Sequence, residues 1–163
     1  NSPGFEWQTT NLNNYVNLMA GSVSTHKFGR VQLAPFGAGS GFLGLPGDVT
    51  PPSRFVRAAF YQTTAPQYQT GVETVVECFQ ILNNFDIPIG IEFGAGEQVT
   101  DIPSATQWTS ATDITNGMIY YRSMYNSAIR CFDLNKIRFD RVKYQVVPLD
   151  EVTQQPIVEV RVK

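Results

Sequence analysis

Few side chains in this sequence could carry chemistry unaided. There is one histidine, His26, and two cysteines, Cys78 and Cys131. A serine, cysteine or threonine nucleophile needs a base beside it. A lone histidine in a polar loop supports a Ser-His-Asp arrangement only weakly, and His26 reads as a surface residue. Cys78 falls in a helical pattern and Cys131 in a strand pattern, where cysteine behaves as a small hydrophobe. These numbers fit neither a disulfide framework nor a zinc site, so metal chemistry of the His/Cys kind is not expected. Asp48, Glu92, Asp101 and Asp113 offer carboxylates, but nothing in their spacing pairs any two as acid and base.

Two glycine-containing runs are more specific. Gly39 to Gly44 reads GSGFLG and matches the dinucleotide pattern literally. It leads into Leu-Pro-Gly-Asp rather than a helix, and Thr64 stands where an acidic residue is wanted about 20 positions on. No Gly-Lys-Ser/Thr step follows, so this is a flexible loop that could border a pocket rather than a phosphate cradle. The next run, Gly44 to Phe60, reads GLPGDVTPPSRFVRAAF. It is either an ordinary way to start a helix or a rigid entry that holds Arg54 at a fixed place.

The elements that position these groups follow from periodicity. Thr9 and Thr10 can cap a helix with Leu12, Tyr15, Val16 and Met19 on one face, ended by Gly21. Pro51 and Pro52 precede a second helix, with Ser53 as N-cap and Phe55, Val56, Ala59 and Phe60 as its buried stripe. Thr70-Gly71-Val72-Glu73 is a capping box for a third, whose apolar face is Val72, Val75, Val76, Phe79 and Leu82. Beyond residue 105 the pattern alternates. Asn116-Gly117 marks a two-residue hairpin and Tyr125-Asn126-Ser127 a second turn, giving a three-stranded meander. Val142 to Val147 and Ile157 to Val162 are further strand candidates around a loop from Pro148 to Pro156. The expected architecture is an antiparallel sheet carrying helices on one face.

Composition narrows the partners. The 163 residues are 42% hydrophobic, enough for one domain with a substantial core. A net charge of −2 leaves no electrostatic footprint for nucleic acid, and the apolar runs are too short for membrane insertion. The first residues lack the basic and apolar regions of a signal peptide, which was either never present or removed earlier.

The stretches NSPGF, TNLNNY, GLPGDVTPPSRFVRAAF, QWTSATDITNGMIYYRS and FDLNKI resemble, in order, parts of the choloylglycine hydrolase family, which comprises conjugated bile acid hydrolases and penicillin V acylases. The resemblance runs from Asn1 to about Ile137. It implies an α+β fold: an N-terminal nucleophile hydrolase αββα sandwich of antiparallel sheets, of which residues 1–163 form the C-terminal part of a single domain. It implies hydrolysis of a linear amide bond in a small-molecule substrate, without a cofactor. The family nucleophile is a cysteine exposed as the first residue of the mature enzyme, with its own α-amine as base.

That resemblance assigns roles to two residues. Asn1 is not a nucleophile; it matches the asparagine of the family's NSP or NDP motif, which donates to the oxyanion, whereas its residue type alone reads as a loop asparagine beside Pro3. Arg54 matches an arginine placed near the cysteine, where its charge favours thiolate, and the alternative is a plain first-turn surface arginine. Arg57, one turn on, reads as a surface or structural ion-pair residue. The cysteine-bearing part is then a missing partner segment, and without it sheet edges and apolar faces lie uncovered. Bile acid deconjugation is preferred over penicillin V or acyl-homoserine lactone acylase activity. The apolar loop from Phe36 to Leu45 could line an acyl pocket or belong to the core. The family likeness also implies a homo-oligomer, a tetramer, and a periplasmic location with a cytoplasmic alternative. A non-catalytic binding protein retaining the fold is the other class of reading; the retention of Asn1 and Arg54 argues against it.

Overall fold

A computed structural model describes residues 3–99, 104–143 and 154–162. The chain divides into two compact units, Asn1–Pro66 and Gln67–Lys163.

The first unit opens with α1 (Phe5–Asn11), capped at Gly4 and continued by a 3-10 turn over Leu12–Tyr15. This corrects the expected helix, which was to begin at Thr9 or Thr10. Both threonines lie inside α1 and turn their hydroxyls back onto the Glu6 carbonyl, at 2.8 and 2.9 Å, so neither is free to cap. Asn11, Asn13 and Asn14 then end the regular turns, with side chains bonded locally to Thr10 O and to one another. A short antiparallel hairpin follows, β1 (His26–Phe28) with β2 (Val31–Leu33), which the sequence reading missed. All six of its residues are exposed, so no in-out alternation announces it. Its two-residue Gly29-Arg30 turn, with Gly29 at φ 59°, was the available clue.

Helix α2 (Pro51–Thr64) completes this unit. Its buried stripe centres on Val56, only 1% exposed, and its Phe55 and Phe60 meet Phe5 and Phe42 edge to face at 5.9 and 5.2 Å.

The second unit is built as expected in outline. Helix α3 (Gly71–Leu82) starts in the anticipated capping box: Glu73 N donates to Thr70 Oγ1 and Thr70 N to the Glu73 carboxylate, both at 3.2 Å. Val75 and Phe79 are buried on the side where α3 packs on the sheet, while Val72 and Val76 stay 63% and 45% exposed. The sheet is the antiparallel meander β3 (Trp108–Asp113), β4 (Met118–Ser123) and β5 (Asn126–Asp133). Arg122 on β4 bonds to Asn83 and Asp86 and lies over the Phe79 ring, which ties the sheet to the end of α3.

Both turns differ from expectation. The first is a four-residue loop, because Asp113 pairs with Met118 and its carboxylate accepts from Asn116 N and Nδ2 at 3.0 and 2.7 Å. The second is the two-residue step Met124-Tyr125, since Asn126 already pairs with Ser123. Most of Val142 to Val147 lies outside the described residues. Ile157 to Val162 forms no strand; Ile157, Val158, Val160 and Val162 are all at least 82% exposed, and the segment pairs with no strand among the described residues.

Candidate functional site

The entry to α2 is where sequence and geometry converge. Its N-cap is Thr50 rather than Ser53, because the helix already includes Pro51 and Pro52 at its first two positions. A helix start leaves four backbone N–H groups without helical acceptors. Here Pro51 and Pro52 have no N–H, and Thr50 N donates to Asp48 Oδ1 at 2.9 Å. Only Ser53 N is left of the four. The next amide, Arg54 N, makes the first helical bond, to Thr50 O at 3.0 Å.

Asp48 organises this turn. Its Oδ1 also accepts from Thr50 Oγ1 at 2.5 Å, and its Oδ2 from Ser53 Oγ at 2.6 Å. The Ser53 and Thr50 donors hold its carboxyl at a pKa of about 2, below the ordinary 3.8. Ser53 is buried, at 7% exposure. Residue type offers Asp48 only as a possible paired carboxylate. The spacing Asp48-Val49-Thr50-Pro51 could have revealed its role, since an aspartate commonly bonds the amide two residues on at a turn.

Two arginines leave α2 one turn apart and fare differently. Arg57 is 6% exposed, and its Nη1 donates to Pro46 O at 2.8 Å and Asp48 O at 2.7 Å. It is therefore structural but not at the surface: it clamps the loop that leads into its own helix. Arg54 is half-buried, and among the described residues its guanidinium makes no hydrogen bond or ion pair. Asn1 lies outside the described residues.

The other candidates separate. Cys78 is half-buried on α3 and Cys131 is exposed on β5, and both are free thiols. Asp113 serves its own loop, Glu92 accepts from Ser104, and Asp101 lies outside the described residues. Among the described residues no cluster of His, Cys, Asp and Glu could hold a metal ion. No helix among them is long and apolar enough to cross a membrane.

The glycine run forms no phosphate cradle. Gly41 N donates to Gly21 O at 3.0 Å and Met19 N to Gly41 O at 3.1 Å, so the run pairs with residues 19–21 as backbone. A Cβ on Gly41 would stand 2.3 Å from Met19 O, which is why only glycine fits. The same loop borders an apolar cavity of about 540 Å³ with walls that include Val23, His26, Leu33, Phe36, Phe42 and Leu43. Phe36 and Leu43 are 102% and 83% exposed within this chain, whereas Gly41 is buried and Phe42 packs on Phe60. His26, expected in a loop, sits on β1 at the cavity edge.

Comparison with known proteins identifies the family. A family model described as linear amide C–N hydrolases, choloylglycine hydrolase family, matches residues 1–147. Bile salt hydrolase/transferase of Clostridium perfringens is 37% identical over 140 residues, which are 86% of this chain and 41% of that protein. Bile salt hydrolase/transferase of Lactiplantibacillus plantarum is 35% identical over 156 residues, 94% and 46% of the two chains. A crystal structure of a variant conjugated bile acid hydrolase from Clostridium perfringens superposes with TM-score 0.76 and 32% identity, over 99% of this chain and 47% of that one. Penicillin V acylase from Agrobacterium tumefaciens, at 23% identity and TM-score 0.58 over 84% and 35%, shares the fold. The chain thus spans less than half the length of these relatives. Its α+β elements and antiparallel sheets are those of an N-terminal nucleophile hydrolase fold. With a family model matched over residues 1–147, relatives 37% and 35% identical and a backbone that superposes on a solved family member, the chain belongs to the choloylglycine hydrolase family of linear amide C–N hydrolases.

Proposed function

We propose that this chain is the C-terminal part of an amidohydrolase that removes glycine or taurine from conjugated bile acids. The nucleophile is an N-terminal cysteine supplied by a preceding part. One observation carries the reading: the run from Gly44 to Phe60 builds a rigid helix entry on which Arg54 keeps its guanidinium free of protein partners among the described residues, while Arg57 satisfies the loop. Arg54 then serves the nucleophile, lowering the thiol pKa so that thiolate is favoured. The cysteine's own α-amine has an ordinary pKa of about 7.7 to 8.0, so part of it can accept a proton at neutral pH. The thiolate attacks the amide carbonyl carbon, and the Asn1 carboxamide N–H donates to the oxyanion that forms. The C–N bond breaks as the leaving amine takes a proton from the α-ammonium. Water then attacks the acyl thioester, returning the free thiol and the acid. Removing one oxyanion donor costs about 2.7 to 4 kcal/mol, so Asn1→Ala is expected to slow turnover by a factor of about 10² to 10³.

The substrate choice leans on the relatives named above, which at 37% and 35% identity are bile salt hydrolases/transferases. An apolar cavity of about 540 Å³ suits a bulky apolar acyl group. The penicillin V acylase likeness supports the fold alone, at 23% identity. A homo-oligomer and a periplasmic location belong to the same proposal, to be checked by light scattering and cell fractionation. The first test is intact mass with N-terminal sequencing of the matured gene product. A polypeptide beginning with Cys is expected; a mature product without one would replace the enzyme by a binding protein that keeps the fold.

A further inference from the structure

Thr50 occupies the N-cap of α2, yet its side chain makes no cap bond. A threonine there normally accepts from the second or third helical amide, and that alone would stabilise the helix start. Its hydroxyl turns instead to Asp48, which also takes Thr50 N and, across the two prolines, the buried Ser53 hydroxyl. Arg57 fixes the backbone of the same aspartate through its carbonyl at 2.7 Å. Arg54 N in turn bonds to Thr50 O at 3.0 Å, so a continuous chain of bonds runs from the Asp48 carboxylate through Thr50 to the backbone of Arg54. The proline rings hold φ of the two residues between. This is more polar apparatus than a helix start requires, and it ends on the backbone of the residue that carries the Arg54 guanidinium.

We propose that Asp48 is a positioning residue for the amide hydrolysis, acting through Thr50 and Ser53 to set where the Arg54 guanidinium stands. The inference rests on the role given to Arg54 under Proposed function. Asp48 touches neither substrate nor reacting atoms. Misplacing a catalytic group by about 1 Å can cost about a hundredfold in rate.

The test is a double-mutant cycle of Asp48→Ala and Arg54→Ala in the full-length gene product, reading kcat/KM for a glycine-conjugated bile acid against pH. Asp48→Ala is expected to lower kcat by roughly tenfold to a hundredfold with KM little changed. The acidic limb of the profile should move to higher pH, because the thiolate loses its cation. In the Arg54→Ala background the same substitution should change neither rate nor limb. Asp48→Asn keeps an acceptor for Thr50 and a donor toward Ser53 Oγ, and should regain most of the rate. Should Asp48→Ala not fold, Ser53→Ala removes the bond to Oδ2 and the longer 3.3 Å contact from Thr50 Oγ1, keeps both Thr50 bonds to Oδ1, and should show a limb shift in the same direction at a smaller rate loss. Equal losses from Asp48→Ala in both backgrounds, or a loss without a limb shift, would overturn the positioning role and leave that of Arg54 standing. Wild-type hydrolysis by Arg54→Ala alone would overturn the reading beneath it.

Discussion

The two arginines of α2 give a sharp contrast, because they share a helix and differ in what they touch. Arg57 is 6% exposed and its Nη1 donates to two loop carbonyls at 2.7 and 2.8 Å. A bond to a charged group contributes about 1.5 to 3 kcal/mol, but both of these share one nitrogen, and the loop carbonyls regain some water when it leaves. Adding the packing of its buried stem, Arg57→Met should cost about 2 to 4 kcal/mol. Arg54 is half-buried without a side-chain hydrogen bond or ion pair among the described residues, and it places a cation in the first turn, where one is unfavourable by about 0.3 to 1 kcal/mol. Arg54→Ala should therefore leave stability within about 0.5 kcal/mol, or raise it slightly, while abolishing most hydrolysis. Urea unfolding of the full-length protein, followed by tryptophan fluorescence beside an activity assay, reads both. Arg57→Met as stable as wild type, or Arg54→Ala destabilised as much as Arg57→Met, would refute this division of labour.

Other expectations follow from single contacts. Thr70→Ala removes the acceptor of Glu73 N and should cost about 0.5 to 2 kcal/mol, seen as faster hydrogen exchange in the first turn of α3. Gly41→Ala drives a Cβ to 2.3 Å from the Met19 carbonyl, which is backbone and cannot swing away; a loss of about 1 to 3 kcal/mol should appear as a lower melting temperature. Asp113 has its pKa lowered first by the Asn116 side chain and then by the Asn116 amide. Its contribution to stability is thus present above the ordinary 3.8 and is lost as pH falls through the lower folded value. Asp113→Asn should remove part of the acid dependence below pH 4 in a denaturation series.

How much could be read beforehand depended on whether the deciding interaction was local. The capping box of α3 needs only Thr70 and Glu73, three residues apart, and formed as expected. The meander was legible because its strands are consecutive, although Asp113 set a longer first loop than Asn116-Gly117 alone suggested. Thr9, Thr10 and Ser53 were misread as caps for a common reason: a hydroxyl has several backbone and side-chain partners within reach, and composition does not say which wins. Ile157 to Val162 alternates like a strand but pairs with none among the described residues, so alternation alone did not decide its structure. Arg54 and Arg57 could not be told apart by residue type. The fold separates them, by placing the loop carbonyls of Pro46 and Asp48 against Arg57.

The most direct test of the central claim is the release of free amino acid from glycine- and taurine-conjugated bile acids by the full-length gene product, followed by amine derivatisation. The account predicts stoichiometric release of glycine or taurine with the unconjugated acid, strongly reduced in Arg54→Ala. Intact conjugates after prolonged incubation, with a phenoxyacetyl amide cleaved or not, would contradict it.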